Sequence, residues 1–398
     1  MRRVVVTGVG VVSALGVGVT PFWNGLRAGT SGIGPIRSVD CSALKFSIGA
    51  EVPGFDPLHY FDAKTAEQLD RSVQFAGVAA VEAINGSGAV FVPERTAVVT
   101  GCAIGGKPTE DDTYRQLYAE GRTRFDPMSI PKVMTSASAS RISMHHGITG
   151  PCYTVSTACA SAAHAIGQAF WMVRSGLVDA AVTGGTEAPM TLGMLRAWEA
   201  MRVVAPDTCR PFSRDRRGMI LGEGAAVVVL EDLDAAVARG ARIHAEICGF
   251  GMSSDAGHLT MPSAEGAARA MTAALRDGGL DASQVGYINA HGTGTPVNDA
   301  TETRAIRAVC ADPPPVSSTK SMHGHALGAS PALEAVATVL ALRDGVLPPT
   351  ANFVDVDPDC ALDVVANEAR AVAVEAALSN SFAFGGLNAV LAFRATGT

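Results

Sequence analysis

A single cysteine, Cys159, stands where a strand-like apolar run gives way to a long helical segment. Residues 155–162 read Val-Ser-Thr-Ala-Cys-Ala-Ser-Ala, and helix-forming sequence continues to residue 173. A thiol in this place faces free backbone N–H groups and the positive end of a helix dipole, and both favour the nucleophilic thiolate. Ala158 and Ala160 leave room for a substrate. The pattern predicts a nucleophile, although a cysteine among small residues is more often a packing residue.

Two histidine motifs lie far downstream, each in a glycine-rich segment. His291 begins His-Gly-Thr-Gly-Thr, directly after the strand-like run Gly-Tyr-Ile-Asn-Ala. Strand ends in open α/β sheets are where reactive groups tend to gather. His325 lies in the segment Lys-Ser-Met-His-Gly-His, which begins at Lys320. One activated cysteine together with two histidines on loops predicts covalent acyl transfer.

The remaining histidines fit other sites less well. His323 and His325 form an H-x-H pair, but no cysteine or carboxylate stands at a spacing that completes a zinc site. His145 and His146 are adjacent, and adjacent side chains rarely bind one ion together. His164, on the helix after the cysteine, is interpreted as a core or interface residue. We therefore expect no metal ion.

The elements that must position these residues follow from the alternation of the sequence. Short β-branched runs alternate with alanine-rich helical stretches, which predicts an α/β protein with largely buried sheets. Strands are expected at 3–6, 96–100, 180–183, 225–230, 287–290 and 389–393, and helices at 63–83, 160–173, 264–277, 302–309 and 333–342. Residues 7–13 loosely resemble a dinucleotide-binding turn, but the third glycine and the acidic partner are missing.

The sequence also contains a weak internal repeat. The helix after Cys159 ends in Met-Val-Arg-Ser-Gly at Gly176, and a later helix ends in Ala-Leu-Arg-Asp-Gly at Gly345. The number of residues from Cys159 to Gly176 equals the number from Gly328 to Gly345. Gly328 lies inside the second histidine motif. We predict two similar halves, residues 1–240 with the cysteine and residues 241–398 with both catalytic histidines.

Composition limits the class of protein. Charged residues make up 17% of the 398 residues, below the ~25% of an average soluble domain, so an oligomer that buries further surface is expected. The net charge of −7 argues against a nucleic-acid binder. The eight cysteines form no C-x-x-C pair, which predicts reduced thiols in a cytoplasmic protein. No segment offers the ~20 uninterrupted apolar residues of a membrane span.

Six segments in this order resemble the β-ketoacyl-[acyl carrier protein] synthases of the elongating Cys-His-His type. They are residues 157–161, 184–187, 210–212 with 221–224, 291–295, 320–325 and 380–386. The resemblance covers essentially the whole chain. It implies an α/β protein of the thiolase fold, with duplicated halves in a five-layer α-β-α-β-α arrangement. It also implies a dimer with the active site near the interface.

The resemblance implies a mechanism as well. Cys159 would take an acyl group, as a thioester, from the phosphopantetheine of an acyl carrier protein. His291 and His325 would promote decarboxylation of malonyl-carrier protein, and the resulting carbanion would attack the acyl-enzyme. This decarboxylative Claisen condensation lengthens a fatty acyl, polyketide or polyene chain by two carbons. No cofactor of the protein's own is expected, because phosphopantetheine arrives on the carrier protein.

Further roles carry over from the same motifs. Lys320 would hold the charge pattern around the second histidine with Glu334 as its partner, or the two would form a buried ion pair without catalytic effect. Thr293 and Thr295 would bind the pantetheine arm. A basic docking face for the acidic carrier protein is expected despite the negative net charge. The densest cluster is Arg210, Arg214, Arg216 and Arg217, and a second candidate is Lys64 with Arg71.

The gate region departs from the family pattern. The oxyanion would lie against the backbone N–H groups of Cys159 and Phe384, and Phe384 would swing as a gate when the acyl chain is loaded. Ala383 stands where the family usually has glycine, and Leu387 where threonine is common. Two further departures are Ser330-Pro331, in place of alanine-glycine, and Met322-His323, in place of the commoner methionine-threonine. Chain-length choice is therefore expected to differ from housekeeping fatty acid synthesis, as in an enzyme of polyene or nodulation-type acyl chains.

Two alternatives stay open on the sequence: a CoA-dependent initiating synthase or thiolase, and a chain-length-setting partner subunit. Initiating synthases that use acyl-CoA carry asparagine where this chain has His325. Thiolases carry a second reactive cysteine in the region where this chain reads Asn380-Ser381-Phe382. A chain-length-setting partner subunit usually lacks the cysteine, so Cys159 argues against that role. A homodimer is expected, with a heterodimer of related subunits as the alternative.

Overall fold

Apolar and β-branched runs form two matching sets of five strands in a computed structural model, which describes residues 1–396. The first set is β1 (Val4–Ser13), β2 (Thr96–Gly101), β3 (Cys152–Val155), β4 (Ala180–Glu187) and β5 (Gly224–Asp232). The second set is β6 (Ala245–Ser254), β7 (Val285–Asn289), β8 (Val316–Ser317), β9 (Ala376–Ala383) and β10 (Leu387–Arg394). Short two-residue strands lie at Gly16–Val17, Gly34–Pro35, Ile48–Gly49, Val346–Leu347 and Arg370–Ala371.

The two sets have the same strand order and the same directions. The first runs β3-β2-β4-β5-β1 and the second runs β8-β7-β9-β10-β6. In the first set β3, β2 and β4 pair in parallel, whereas β4–β5 and β5–β1 are antiparallel. The second set repeats this pattern strand by strand. Antiparallel pairing of β1 with β6 joins the sets into one sheet. The expected duplication is therefore present.

Helices occupy the layers between and outside the strands. They are α1 (Val19–Arg27), α2 (Ala63–Glu67), α3 (Arg71–Ser87), α4 (Lys107–Tyr118), α5 (Ser129–Val133), α6 (Ala137–His146), α7 (Ser161–Arg174), α8 (Leu192–Met201), α9 (Leu233–Ala238), α10 (Ala264–Gly278), α11 (Pro296–Val309), α12 (Lys320–His323) and α13 (Ser330–Asp344). Among the described residues, no helix combines the length and the apolar character needed to cross a membrane.

Two helices form the central layer. α7 and α13 contact each other and strands of both halves, while α3 covers the first set of strands and α10 covers the second. Residues 330–342 of α13 are all buried, which is typical of a helix that is apolar on every side. α7 follows β3, and α13 lies after β8, so the two helices occupy matching places in the two halves. These layers give the expected five-layer thiolase arrangement.

Two local expectations are wrong. The predicted helix at 63–83 is divided into α2 and α3, because Asp70 caps α3 by accepting the backbone N–H of Ser72 at 2.9 Å. α11 begins at Pro296 rather than at residue 302, with the Thr295 side chain as its N-cap. In both cases a short polar side chain or a proline sets the helix start, and the hydrophobic pattern does not reveal it.

The segment that resembled a dinucleotide-binding turn lies inside β1. A Cβ atom at Gly8 would collide with the carbonyl oxygen of Ala83, and one at Gly10 would collide with that of Ala79. Both carbonyls belong to α3, so these glycines let the helix pack directly on the strand. The glycines of this segment serve packing and do not form a phosphate-binding turn.

Candidate active site

Cys159 lies in the turn that leads from β3 into α7. The helix begins at Ser161, so the thiol stands at its amino end. Ala158 has a positive φ of 47°, a conformation that a non-glycine residue holds only when its surroundings enforce it. The Ser161 hydroxyl accepts the Thr157 N–H at 2.9 Å and donates to the Ala158 carbonyl at 2.7 Å. These contacts fix the turn that presents the cysteine.

Burial decides the proton affinity of this thiol. Burial raises the pKa of Cys159 to about 12, and the carboxylates of Glu187 and Glu334 act in the same direction. The Lys320 ammonium and a hydrogen bond from the Phe384 backbone N–H lower the pKa but do not outweigh burial. The expectation that the helix end alone favours the thiolate is therefore wrong for this conformation. Cys159 rests as a thiol and must lose its proton during attack.

His291 and His325 come from two different loops and line one cavity with Cys159. His291 follows β7, and His325 lies between α12 and α13. Their ring centroids are 5.5 Å apart with the planes at 85°, and the shared cavity has a volume of about 340 Å³. Burial, followed by the nearby Lys320 ammonium, lowers the pKa of both rings well below the ordinary value. Both imidazoles are neutral at pH 7, as enolate stabilisation by hydrogen bonding requires.

Lys320 fixes the tautomer of His291. It is fully buried, forms an ion pair with Glu334, and donates to the His291 carbonyl at 2.6 Å. Its Nζ also lies 3.3 Å from His291 Nδ1. Because an ammonium group can only donate, Nδ1 is the acceptor and the ring proton resides on Nε2. His291 therefore presents an N–H donor on the side of the ring away from Lys320.

Ser330 orients the second ring. Its hydroxyl lies 2.8 Å from His325 Nδ1, and both groups are buried. Ser330 is one of the expected departures from the pattern that the resemblance implies. The serine therefore adds a hydrogen bond that fixes the plane of the His325 imidazole in this chain.

Glu302 holds the backbone of the first histidine motif, a role that the sequence motifs do not reveal. Its carboxylate accepts the N–H groups of His291 and Gly292, each at 2.8 Å, and the side-chain amide of Asn380 at 3.2 Å. Burial raises its pKa to about 7. The sequence pattern predicts a helix that starts at residue 302, and a carboxylate at a helix start is expected to cap that helix. Nothing in the sequence indicates that this side chain contacts the end of a neighbouring strand.

The two threonines of the first motif also line the cavity. Thr293 Oγ1 and Thr295 Oγ1 are 2.9 Å apart, and Thr295 caps α11. Their hydroxyls therefore already have partners within the chain, and each retains capacity for one more hydrogen bond to a ligand.

Phe384 lies at the turn between β9 and β10. Gly385 and Gly386 follow it with positive φ angles of 84° and 68°. The Phe384 ring stacks on Trp198 with centroids 6.2 Å apart, and Trp198 also lines the cavity. Nothing in the sequence of α8 links Trp198 to this distant turn, so its place in the cavity could not be predicted. The departures Ala383 and Leu387 pair across the same hairpin and flank Phe384.

The arginine cluster is not one exposed face. Arg216 is buried, lies 3.7 Å from Asp299, pairs with Asp357, and donates to the carbonyl of Pro296 at 3.1 Å. It therefore holds loops together and cannot dock a partner, which corrects the expectation. Arg210 is largely covered as well, paired with acidic neighbours at 2.8 and 3.2 Å.

Exposed basic groups remain nearby. Arg214 and Arg217 have side chains that are 60% and 58% exposed, and Arg217 lines the cavity mouth with Arg202. Of the second candidate pair, Lys64 is exposed, whereas Arg71 pairs with the buried carboxylate of Glu223 at 2.6 Å. Arg71 is therefore also removed from the docking set.

Two further histidines, His164 and His323, have structural surroundings. His164 is buried against Phe250, with ring centroids 5.9 Å apart, which confirms its interpretation as a core residue. His323 Nε2 lies 3.0 Å from the Thr319 hydroxyl and does not share a site with His325. Within residues 1–396, no group of three or more His, Cys, Asp or Glu side chains is arranged to hold a metal ion.

Known proteins resemble the chain along its whole length. Residues 1–236 match the profile "Beta-ketoacyl synthase, N-terminal domain", and residues 244–354 match "Beta-ketoacyl synthase, C-terminal domain". The chain is 48% identical to Nodulation protein E of Rhizobium sp. (strain N33), with 99% of each covered. It is 41% identical to 3-oxoacyl-[acyl-carrier-protein] synthase 2 of Synechocystis, over 99% of this chain and 98% of the relative. The solved structure of "The ishigamide ketosynthase/chain length factor" superposes with a TM-score of 0.96 at 40% identity, with 100% of each chain covered.

Proposed function

Because the chain belongs to the β-ketoacyl synthase family and is a carrier-protein-dependent condensing acyltransferase, we propose that Cys159, His291 and His325 perform its two half-reactions. The observation that carries this assignment is their convergence, with the Phe384 backbone N–H, on one buried cavity. The cavity holds one nucleophile, two neutral imidazoles and backbone donors. These are the groups that thioester transfer and decarboxylation require.

In the first half-reaction Cys159 becomes acylated. The Cys159 sulfur attacks the carbonyl carbon of the acyl-phosphopantetheine thioester and gives up its proton as the attack proceeds. A sulfur–carbon bond forms, the bond to the pantetheine sulfur breaks, and the proton passes to that leaving thiolate. The N–H groups of Cys159 and Phe384 bind the transient oxyanion, and such a donor typically contributes ~2.7–4 kcal/mol.

In the second half-reaction the malonyl thioester loses carbon dioxide. Its carbonyl oxygen accepts hydrogen bonds from the ring N–H of His291 and from His325, which stabilise the developing enolate. The electron pair of the broken carbon–carbon bond then attacks the acyl carbon on Cys159. A new carbon–carbon bond forms, the thioester to Cys159 breaks, and the released thiolate takes up a proton, since burial favours the thiol. The chain grows by two carbons, and the scheme needs no cofactor beyond the carrier's phosphopantetheine.

Lys320, Glu334, Thr293 and Thr295 support this chemistry in the proposal. Lys320 and Glu334 hold His291 in its Nε2–H tautomer, and the two threonines guide the pantetheine arm with their remaining hydrogen-bonding capacity. Phe384 acts as the gate, since two glycines in left-handed conformations follow it and give the turn freedom to rearrange.

The proposed assembly is a dimer that docks an acyl carrier protein. β3 is the terminal strand of the sheet, and α6, which contacts it, exposes Met144. α5 contacts α6 and exposes Ile130, and α4 contacts α5 and exposes Tyr118, which supports an interface on this side. We propose a homodimer, with a heterodimer as the alternative because the ishigamide relative is titled as a ketosynthase with a chain length factor. The eight unpaired cysteines fit a reducing compartment, and we propose the cytoplasm.

Mass spectrometry of the intact chain tests the assignment. After incubation with an acylated carrier protein, the unmodified chain is expected to gain the mass of one acyl group, and peptide mapping is expected to locate it on Cys159. Cys159→Ala should show no adduct, because the nucleophile is gone. The matched control Cys310→Ala removes another buried thiol that does not line the cavity and should still be acylated. An adduct on the Cys159→Ala chain would contradict the proposal.

A further inference from the structure

Glu187 is a buried carboxylate that none of the steps above uses. It ends β4 as the last residue of the Gly-Gly-Thr-Glu motif and is 0% exposed. Its Oε2 accepts the N–H groups of Ala103 at 2.8 Å and Gly328 at 3.1 Å. Its Oε1 accepts the N–H of Ile104 and the thiol of Cys102, both at 3.3 Å. Both carboxylate oxygens are therefore occupied.

The groups that Glu187 binds belong to two separate loops. Residues 102–104 follow β2, and the end of β2 packs against the first turn of α7, where a Cβ atom at Gly101 would collide with the Ala162 nitrogen. Gly328 belongs to the loop that carries His325 between α12 and α13. One carboxylate thus links the support of the Cys159 helix to the His325 loop.

Glycines in both motifs make this link possible. A Cβ atom at Gly328 would lie 2.7 Å from Glu187 Oε2 and 2.6 Å from the Ala103 nitrogen. A Cβ atom at Gly185 would lie 3.0 Å from the Gly328 carbonyl oxygen and 2.7 Å from the Ala162 side chain. Larger residues at either position would push the loop away from the carboxylate.

We propose that Glu187 is a positioning residue for condensation. It fixes the position of the His325 loop relative to the helix that presents Cys159. This inference rests on the proposed roles of those two residues. The carboxylate acts through backbone N–H groups and is not placed in contact with substrate. It gives the Gly-Gly-Thr-Glu motif a function that the mechanism alone does not supply.

The charge of Glu187 provides a second readout. Around the Cys159 thiol stand Lys320, Glu187 and Glu334, together with the neutral rings of His291 and His325. Among these groups, Glu187 and Glu334 raise the pKa of Cys159 and Lys320 lowers it. Removing the negative charge of Glu187 should therefore make the thiol easier to ionise.

Two variants separate position from charge. Glu187→Gln keeps the length but accepts hydrogen bonds on one side only and loses the charge, whereas Glu187→Asp keeps the charge and withdraws the carboxylate. The matched control is Glu82→Gln, because Glu82 accepts the N–H groups of Val11 and Val19 at 2.9 and 2.8 Å outside the cavity. The readouts are decarboxylation of malonyl-carrier protein and the pH dependence of Cys159 alkylation by iodoacetamide, followed on the Cys159 peptide.

Both Glu187 variants are expected to decarboxylate malonyl-carrier protein about tenfold to hundredfold more slowly than the unmodified chain. Glu187→Gln should also shift the alkylation midpoint of Cys159 to lower pH, and Glu187→Asp should not. Glu82→Gln should change neither readout by more than about twofold, even if it unfolds at a lower temperature. If the glutamine variant fails to fold, the aspartate variant still tests the positional role.

Decarboxylation by both Glu187 variants within twofold of Glu82→Gln would overturn the inference. An unchanged alkylation profile in Glu187→Gln would contradict the effect of the Glu187 charge on the Cys159 thiol. Alkylation does not depend on catalysis, so this second arm still tests the link between Glu187 and Cys159 even if the unmodified chain fails to decarboxylate. That failure would count against the proposed function alone.

Discussion

Single residues in this cavity are held by hydrogen bonds that sequence motifs identify only in part. Cys159, His291 and His325 follow from their residue types and their places at element ends. The protonation of Cys159 does not, because burial raises its pKa to about 12 although a helix end lies beside it. The extent to which the thiol is buried decides whether burial or the helix end determines its pKa. That burial depends on residues far away in sequence. The buried supports Glu302 and Glu187 were missed for the same reason.

Ser330 supplies a prediction at this scale. Ser330→Ala removes the hydroxyl that lies 2.8 Å from His325 Nδ1, so the ring gains freedom to turn. A hydrogen bond of this kind contributes about 1 kcal/mol, and malonyl decarboxylation should fall roughly fivefold while acylation of Cys159 is unchanged. The control Ser87→Ala removes a buried hydroxyl that donates to the Ile84 carbonyl at the end of α3 and should leave both rates intact. Equal losses in both half-reactions would argue against a specific effect on the His325 ring.

Elements with a strong hydrophobic period were predicted well. The predicted helices 160–173 and 264–277 match α7 and α10 within a residue at each end. Elements without such a period were not. β8 has only two residues after a proline run, and its pairing with β7 depends on the rest of the sheet. The division of the predicted helix 63–83 depends on one capping carboxylate, which an apolar period cannot reveal.

The Asp70 cap gives a prediction at the scale of elements. Asp70→Ala removes the acceptor for the Ser72 N–H at the start of α3 and for the Thr109 hydroxyl at 2.7 Å. The free energy of unfolding, measured by urea denaturation, should fall by about 1–2 kcal/mol, since the cap is buried and serves two elements. Asp62→Ala removes the exposed cap of the short helix α2 and should cost less. A larger loss for Asp62→Ala would contradict this account of the helix break.

The whole molecule is a duplicated unit whose two halves contribute different parts of one site. The resemblance to condensing enzymes predicted the thiolase fold and its five layers, and the matching strand orders of the two halves confirm them. The boundary at residue 240 stays a prediction, although α9 and the residues up to Ala245 connect β5 to β6. The sequence could not separate buried from exposed arginines, because residues that are adjacent in a loop point to different surroundings.

Carrier docking is tested at this scale. Arg214 and Arg217 are exposed, and Arg217 lines the cavity, so replacing both with glutamate should weaken attraction to an acidic carrier protein. The KM for carrier-bound acyl substrate should rise about fivefold or more, while an acyl-pantetheine mimic should be used as before. Arg276→Glu, on the exposed side of α10, is the matched charge change away from the mouth. Equal effects on carrier-bound and free pantetheine substrates would contradict a docking role.

The division of labour between the thiol and the histidines is tested most directly in His325→Ala. Acylation of Cys159 and release of carbon dioxide from malonyl-carrier protein would be measured separately on this one variant. We expect acylation within a few-fold of the unmodified chain, because the nucleophile and its backbone donors are retained. Decarboxylation should fall at least a hundredfold, because one donor to the enolate oxygen is lost. A folded variant that still decarboxylates at the original rate, or that no longer accepts the acyl group, would contradict the account.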